Sequence, residues 1–173
     1  MNGKQLSAIG SRRCHPAEQA HKPSPCRVFW HKLEGVLYSA TMKTELGRVI
    51  LKPGREKSVR NRHPWIFSGA IERAQGQGDL VQVVSSRGEY LATGTLNHRS
   101  QITVRLLTWD AGEEIDGRFW RRRLERAIAG RAQLAADRAT NACRLVHAEA
   151  DGLPGLIVDR YGPWLVIQCL TAG

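Results

Sequence analysis

Residues 54–68 read GREKSVRNRHPWIFS and combine a cluster of positive charge with an abrupt change of local pattern. The first half mixes basic and polar residues, with Glu56 as its single acid. Pro64 then disfavours helical geometry at the residue before it, and the apolar residues Trp65, Ile66 and Phe67 follow. The pattern predicts a short basic helix that gives way to an aromatic strand, a combination suited to contacting the backbone of a nucleic acid.

The neighbouring residues define the expected limits of these elements. An apolar run at residues 49–51 predicts a strand that ends at the turn pair Pro53-Gly54, so the helix is expected over residues 55–61. In the strand after Pro64, Trp65 and Phe67 share one face and the intervening isoleucine lies on the other. Core packing is favoured for Phe67. For Trp65, core packing and stacking on an unpaired base both stay open.

Short strands separated by turn signals follow this stretch. Leu80 to Val84 is expected to pair with Tyr90 to Thr93 across a turn, and residues 102–107 alternate in the manner of a third strand. Strands this short need closure or a covering helix to protect their edges. The pattern therefore predicts a small β-barrel or sandwich.

A helix is predicted to begin after Asp116, a preferred N-cap residue, and to run to about Ala136. An apolar stripe at helical spacing supports this prediction, and it consists of Trp120, Leu124, Ala127, Ile128 and Leu134 or Ala135. Arginines occupy much of the remaining surface at positions 118, 121, 122, 123, 126 and 131. A solvated helix face is the favoured interpretation of this arginine row, and an RNA-facing surface is the alternative.

The last part of the sequence predicts two or three strands around tight turns. The turn pairs are Asp151-Gly152 and Pro154-Gly155, with another turn at residues 161–163. Apolar residues occur on both faces of the run from Leu165 to Leu170. We expect this final strand to be buried on both faces, and we expect the natural sequence to continue beyond Gly173.

Composition indicates a basic protein of a reducing compartment. The formal net charge of +10 favours polyanionic partners, because neutralising phosphates releases condensed counterions. No run approaches the roughly 20 apolar residues of a membrane span, and the first residues lack the apolar core of a secretory signal. The four cysteines are scattered without a CxxC pair, which argues against a disulfide framework. The expected location is the cytoplasm, with no membrane partner.

The sequence contains no familiar cofactor or catalytic motif. It has no GxGxxG, P-loop or metal-binding helix pattern. His147 and Glu149 could form an acid–base pair on one strand face, but a hydrogen bond that stabilises the hairpin is the favoured role. Cys143 and Cys169 are expected to be buried structural residues, and Asp151 and Asp159 are expected to fix turns by accepting backbone hydrogen bonds.

Residues 1–41 show no sustained helical or strand period and are expected to be disordered. A zinc site is the alternative there, although the ligand spacing fits no familiar pattern. Its ligands would be Cys14, His15, His21, Cys26 and His31. Met42 directly precedes the first regular pattern, which also makes it a candidate natural start. We expect no metal site in the rest of the chain.

Two blocks of sequence resemble one known family. GREKSVRNRHPWIFSGAI (residues 54–71) resembles the opening of the PUA domain of bacterial S-adenosylmethionine (SAM)-dependent ribosomal RNA methyltransferases. RLVHAEADGLPGLIVDRYG (residues 144–162) is similar to the hairpin between that domain and the catalytic domain, and residues 115–127 resemble the connecting helix. The group most similar is that of the class I enzymes that methylate cytosine-5 in 23S rRNA, and the resemblance covers about residues 42–173.

The resemblance implies an α+β fold in which a small PUA-type β-barrel is followed by a β-hairpin and helix linker domain. Three regions are expected: a disordered tail or upstream mis-start at 1–41, the PUA-like RNA-binding domain at 42–112, and the connecting helix with a truncated linker domain at 113–173. The family's third, Rossmann-like domain would carry SAM and the catalytic cysteine. A doubly wound domain needs roughly 100 or more residues, so this chain is expected to lack it, to bind no cofactor and to be inactive alone.

In such PUA domains the short helix and the next strand contact RNA. The resemblance therefore implies an RNA-binding surface formed by Lys52, Arg55, Lys57, Arg60, Arg62, His63 and Trp65, with no catalytic residue in this chain. The basic members would contact phosphates or a groove of RNA that is expected to be ribosomal. A free-standing PUA-type adaptor without enzymatic function is the alternative. A structural or protein-interaction module, whose basic face is only solvated, is a third.

Overall fold

A computed structural model describes residues 46–75, 80–137 and 139–171. Within these ranges the strands are β1 (Gly47–Leu51), β2 (Trp65–Phe67), β3 (Ile71–Gln75), β4 (Leu80–Val84), β5 (Tyr90–Leu96), β6 (Ile102–Thr108), β7 (Ala142–His147), β8 (Leu156–Tyr161) and β9 (Trp164–Cys169). The helices are α1 (Lys57–Arg60), α2 (Gly117–Ala129) and α3 (Ala132–Ala136). Short 3-10 turns span Ser68–Ala70 and Ala148–Asp151. The expected tail and its zinc alternative lie outside the described residues.

The first unit is a curled six-stranded sheet with the order β2-β6-β5-β4-β1-β3. Its pairs are antiparallel except β1 with β4, which run parallel. The curled sheet encloses an apolar core that also receives Val59 of α1, and other members include Val49, Leu51, Val83 and Val104. This half-barrel confirms the α+β class, and it stands where the resemblance implies a small β-barrel.

β2 follows the predicted alternation but turns the opposite face toward the core. Ile66 is only 2% exposed and packs in the core, whereas Phe67 is 49% exposed. The prediction that Phe67 packs in the core was wrong. Among the described strands β2 pairs with β6 alone, and the register that sets Ile66 against the buried Val104 places Phe67 on the solvent side.

The predicted helix begins where expected but ends earlier. Asp116 caps α2 by accepting a hydrogen bond of 2.8 Å from the backbone N–H of Phe119. The helix ends at Ala129 with Gly130 as its C-cap, and α3 is a separate short helix. Glycine has low helix propensity, and here the Arg131 N–H turns to the Ile128 carbonyl. The single helix predicted to Ala136 was therefore too long.

The second unit is a three-stranded antiparallel sheet with the order β7-β8-β9, against which α2 packs. Leu124 and Ala127 of α2 join Val146 and Val158 in its core, as the predicted stripe requires. Of the two alternatives given for the end of the stripe, Leu134 is exposed and Ala135 is half-buried.

β9 does not have the predicted burial on both faces. Val166, Ile167 and Leu170 are exposed, and Trp164 is 72% exposed. The reason is that within the described ranges β9 is an edge strand whose one partner is β8, whereas α2 and α3 pack against β7.

Candidate nucleic-acid interface

α1 displays basic residues around a single apolar anchor. Val59 is 1% exposed and is the buried residue of the helix. Lys57 and Arg60 flank it in sequence and both are exposed. Because a helix this short is marginal alone, its attachment through Val59 to the sheet core holds the basic side chains in place.

The end of α1 has a backbone geometry that usually requires glycine. The N–H of His63 bonds to the carbonyl of Ser58, and the N–H of Arg62 bonds to that of Val59, both at 3.0 Å. These two bonds form a Schellman motif, whose left-handed position is most often glycine. Here that position is Arg62, with φ of 63°. The predicted helix stop is confirmed, and the left-handed Arg62 forms it together with Pro64.

The predicted basic contact residues lie on one continuous part of the chain and reach solvent. The exposed members are Lys52, Arg55, Lys57, Arg60, Arg62 and His63. Lys52 Nζ donates to the Gly69 carbonyl at 3.0 Å, and Arg60 pairs with Glu89 at 2.8 Å. A single exposed ion pair contributes little, so Arg60 retains most of its capacity to bind a phosphate.

Trp65 occupies a different environment from these basic residues. It is half-buried, and its indole Nε1 donates a hydrogen bond of 3.1 Å to Glu149 Oε1 in the second unit. Its backbone N–H donates to Nδ1 of His63 at 3.2 Å, and the two rings meet edge to face. The assignment of Trp65 to RNA contact stays a prediction. Its indole N–H already donates to Glu149 in the second unit.

A cleft of about 770 Å³ separates the first unit from α2 and the turn after β7. Its walls include Arg62 and Trp109 on one side and Arg122 and Arg126 of α2 on the other. The guanidinium of Arg62 lies 5.2 Å from the centre of the Trp109 ring. The sequence did not predict that Trp109 and Arg126 would line the same cleft, because this depends on how the two units meet.

Two arginines of the row predicted along the helix from Asp116 to Ala136 are partly buried and bond to other parts of the protein. Arg123 donates to the carbonyls of Leu107 and Gly152, each at 2.6 Å, and lies over the Phe119 ring at 4.2 Å. Burial lowers the pKa of its guanidinium from the ordinary value. Arg131 pairs with Asp151 at 2.9 Å. Neither a solvated face nor an RNA-facing row describes these two residues.

Neither the hairpin hydrogen bond that was favoured for His147 and Glu149 nor the alternative acid–base pair on one strand face is found in the described part of the chain. His147 ends β7, whereas Glu149 lies in the following 3-10 turn and accepts from Trp65. Asp151 does bond a backbone amide, that of His147. Asp159 instead lies within β8 and accepts two hydrogen bonds from Arg144, which lower the pKa of its carboxyl.

The cysteine prediction was wrong for one of its two residues. Cys169 is exposed and Cys143 is half-buried. Among the described residues no group of three or more His, Cys, Asp or Glu side chains could hold a metal ion. None of the helices in the described part of the chain is long and apolar enough to cross a membrane.

The six-stranded sheet and its basic helix define a PUA-like domain, since residues 49–109 match the family model of that description. The fold also resembles solved structures. A putative SAM-dependent methyltransferase from Streptococcus mutans has a TM-score of 0.65 at 17% identity, over 72% of this chain and 33% of that one. A putative methyltransferase complexed with SAH has a TM-score of 0.64 at 17% identity, with the same coverage.

Curated relatives are more similar in sequence. Ribosomal RNA large subunit methyltransferase I of Escherichia coli (strain SMS-3-5 / SECEC) is 46% identical over 129 residues, which is 73% of this chain and 33% of that protein. The protein of the same name from Shewanella frigidimarina is 47% identical over 130 residues, with the same coverage. The chain therefore spans about a third of the length of the curated relatives it matches.

Proposed function

We propose that the chain binds ribosomal RNA through the basic surface formed by α1 and the turns on either side of it. The observation that carries this proposal is that six basic side chains between residues 52 and 63 are exposed together, while one apolar residue, Val59, anchors them to the core. Glu56 is the one acid within this segment. Such a surface attracts phosphates without reading base sequence directly.

The names of the curated relatives support large-subunit ribosomal RNA as the RNA that this chain binds. In this proposal the chain is the N-terminal portion of a SAM-dependent methyltransferase that modifies cytosine-5, and it delivers RNA to a separate catalytic domain. The identity of 46% over most of this chain supports the assignment. Cytosine as the target follows only from the sequence resemblance described at the outset.

The described residues do not fit SAM itself. Nucleotide-type cofactors bind at a glycine-rich turn that joins a strand to a helix within a βαβ unit. The parallel pair found among the described strands is β1 with β4, and the chain between them contains α1, β2 and β3 rather than one crossover helix. We therefore assign cofactor binding and methyl transfer to the part of the relatives that lies outside their match to this chain.

Charge neutralisation tests the RNA-binding surface. The variant Arg55→Gln/Lys57→Gln/Arg60→Gln should weaken binding to purified large-subunit rRNA and make the slope of log affinity against log salt shallower by about 2. The matched control is Arg73→Gln/Arg118→Gln/Arg121→Gln, which removes the same charge from exposed positions on β3 and α2. Filter binding at several salt concentrations measures both. Equal losses in the two triple variants would refute a localised surface.

Catalysis has its own test. When the chain is incubated with large-subunit rRNA and SAM carrying a labelled methyl group, we expect no label in the RNA above the blank. Incorporation of label would show that these residues transfer methyl groups without the rest of the relatives' length, and the division of roles proposed above would then be wrong.

A further inference from the structure

The cleft between the two units has the size of a ligand site. Its volume of about 770 Å³ lies within the roughly 300–1,000 Å³ typical of small-molecule pockets. One wall comes from the loop after α1 and the end of β6, and the other from α2 and the turn that follows β7. A single nucleotide can enter a space of this kind, whereas an RNA duplex is too wide.

The acids that line the cleft are already engaged. Glu113 pairs with Arg122 at 2.8 Å, and Asp151 pairs with Arg131 at 2.9 Å. Glu149 accepts from Trp65, and Asp110 accepts a hydrogen bond of 2.9 Å from the Gly112 N–H. Their negative charge is therefore partly compensated within the protein.

Two lining guanidinium groups remain available. Arg123 is occupied by the carbonyls of Leu107 and Gly152. Arg62 and Arg126 are exposed, and within the described ranges neither forms an ion pair with a carboxylate. Three of the four lining acids, Glu113, Asp151 and Glu149, each lie within 3.5 Å of an arginine nitrogen, whereas Asp110 bonds to a neutral N–H. The two guanidinium groups without a carboxylate partner therefore favour an anion in the cleft.

Arg62 is also held in an unusual backbone conformation. Its φ of 63° is one that residues with a Cβ adopt at a cost in free energy, and glycine is the usual residue at this point of a Schellman motif. Its side chain nevertheless lies against Trp109, whose indole N–H donates to the Val59 carbonyl at 2.7 Å. The inner face of the guanidinium is thus supported by a ring that is itself fixed to α1.

We propose that this cleft binds one unpaired nucleotide of the RNA, with its phosphate held by Arg62 and Arg126 and its base stacked on the outer face of the Arg62 guanidinium. Stacking on arginine and contact with the backbone are the usual means of recognising single-stranded RNA. This site rests on the proposed function and deepens it. The α1 surface attracts RNA of any form, and the cleft selects RNA that contains an unpaired nucleotide.

The test compares single-stranded and duplex RNA of the same sequence, each roughly 12 nucleotides long and labelled with fluorescein. The variant Arg62→Gly/Arg126→Gln should lower affinity for the single strand by about tenfold. Because Arg62 also belongs to the basic surface around α1, affinity for the duplex should fall as well, but only by about twofold. Glycine suits the left-handed position, so the variant should keep its melting temperature, and a loss of binding then cannot be attributed to unfolding.

The triple variant Arg55→Gln/Lys57→Gln/Arg60→Gln is the matched control and should weaken both forms of RNA. If the wild-type chain binds neither RNA, the proposed function fails. If it binds RNA but the double variant retains full affinity for the single strand, or loses both forms equally, the cleft site alone is refuted.

Crosslinking supplies an independent readout. A single-stranded RNA with one 4-thiouridine should crosslink on irradiation to peptides that contain Arg62–Pro64, Leu107–Trp109 or Arg122–Arg126. Adenosine monophosphate and inorganic phosphate serve as competitors. Competition by the mononucleotide at concentrations where RNA binds would assign the cleft to a free nucleotide and overturn the RNA assignment. Crosslinks confined to α1 peptides would also overturn it.

Discussion

Trp65 and Glu149 join the two units of this chain through a hydrogen bond of 3.1 Å between the indole Nε1 and the carboxylate Oε1. Arg105 Nε lies 3.5 Å from the same oxygen and is itself buried. Trp65 belongs to the edge strand of the first sheet, and Glu149 to the turn that follows the first strand of the second. The contact therefore fixes how the PUA-like domain is placed relative to α2, and with it the width of the cleft.

A double-mutant cycle tests this contact. Trp65→Phe removes the donor and Glu149→Ala removes the acceptor. Either single change already breaks the hydrogen bond, so the double variant should lose less stability than the two single losses added together. We expect this difference, the coupling in the free energy of unfolding, to be about 1.5 kcal/mol, as for a hydrogen bond to a charged group. Urea denaturation of the four proteins measures the coupling. Trp65→Phe combined with Glu72→Ala, an exposed acid on β3, should be additive. A coupling indistinguishable from that control would contradict an energetic link between the units.

Arg123 should be the most costly arginine of α2 to replace. Arg123→Met leaves the carbonyls of Leu107 and Gly152 without their donor, and we expect a loss of about 2–3 kcal/mol in the free energy of unfolding. Arg122→Met, at the neighbouring exposed position, should change it by less than about 0.5 kcal/mol. Thermal unfolding followed by circular dichroism compares the two. Similar shifts in melting temperature would show that Arg123 does not have an interior role.

Gly94 in β5 is a position where no side chain fits. A Cβ there would overlap the carbonyl oxygen of Arg105 on the paired strand β6, and backbone atoms of a sheet do not move aside easily. Gly94→Ala should cost about 3 kcal/mol of stability. Gly69→Ala is the control because a Cβ at that position meets no atom within 4 Å, and its effect should stay within about 0.5 kcal/mol. Equal urea midpoints for the two variants would refute the close approach of β5 to β6.

Acid should weaken the second unit through Asp159. Its hydrogen bonds from Arg144 lower the pKa of the carboxyl in the folded protein, whereas in the unfolded chain it titrates near about 3.9. Between the folded and the unfolded pKa, the unfolded state binds more protons than the folded state. The stability that the Asp159 carboxylate contributes is therefore fully present above about pH 5 and is lost as pH falls toward the folded pKa.

The measurement is the urea midpoint of Asp159→Asn and wild type across this range. The deficit of the variant should be largest at neutral pH and shrink as the solution becomes acidic, and Arg144→Gln should behave in the same way. If the difference in urea midpoint between Asp159→Asn and wild type did not change with pH, the negative charge of Asp159 would not contribute to stability.

Features that depend on neighbouring residues could be predicted from the sequence. Asp116 caps α2 as expected, because its side chain reaches the N–H of Phe119 three residues later. The turn at residues 85–88 was likewise local and was confirmed, since the Gly88 N–H bonds to the Ser85 carbonyl at 2.9 Å. The third strand formed as β6, but the predicted alternation was wrong, because Thr103 and Leu107 are buried as well as Val104 and Leu106. The exposed position of the basic residues in α1 follows from one apolar side chain in a four-residue helix.

Features that depend on distant partners could not be predicted. Ile66 rather than Phe67 enters the core because β6, far along the chain, sets the register of β2. β9 carries apolar residues on both faces, yet β8 is its one partner among the strands that the structure describes. The sequence of β9 itself does not show that it lies at an edge. Arg123 resembles its neighbours in sequence, and its role depends on two carbonyls contributed by other elements.

The pairing of β2 with β6 also has a consequence for how the chain is made. β2 leaves the ribosome before β6, its partner among the described strands, which follows after β3, β4 and β5. At about 5–20 residues per second, the delay between the two strands is roughly 2–7 seconds. During that interval Ile66 has no completed core to enter, and the nascent segment presents the unpaired apolar strand β2 next to the basic residues of α1. Until β6 emerges, nascent chains should be a target for chaperones and for premature contact with the ribosomal RNA around the exit tunnel.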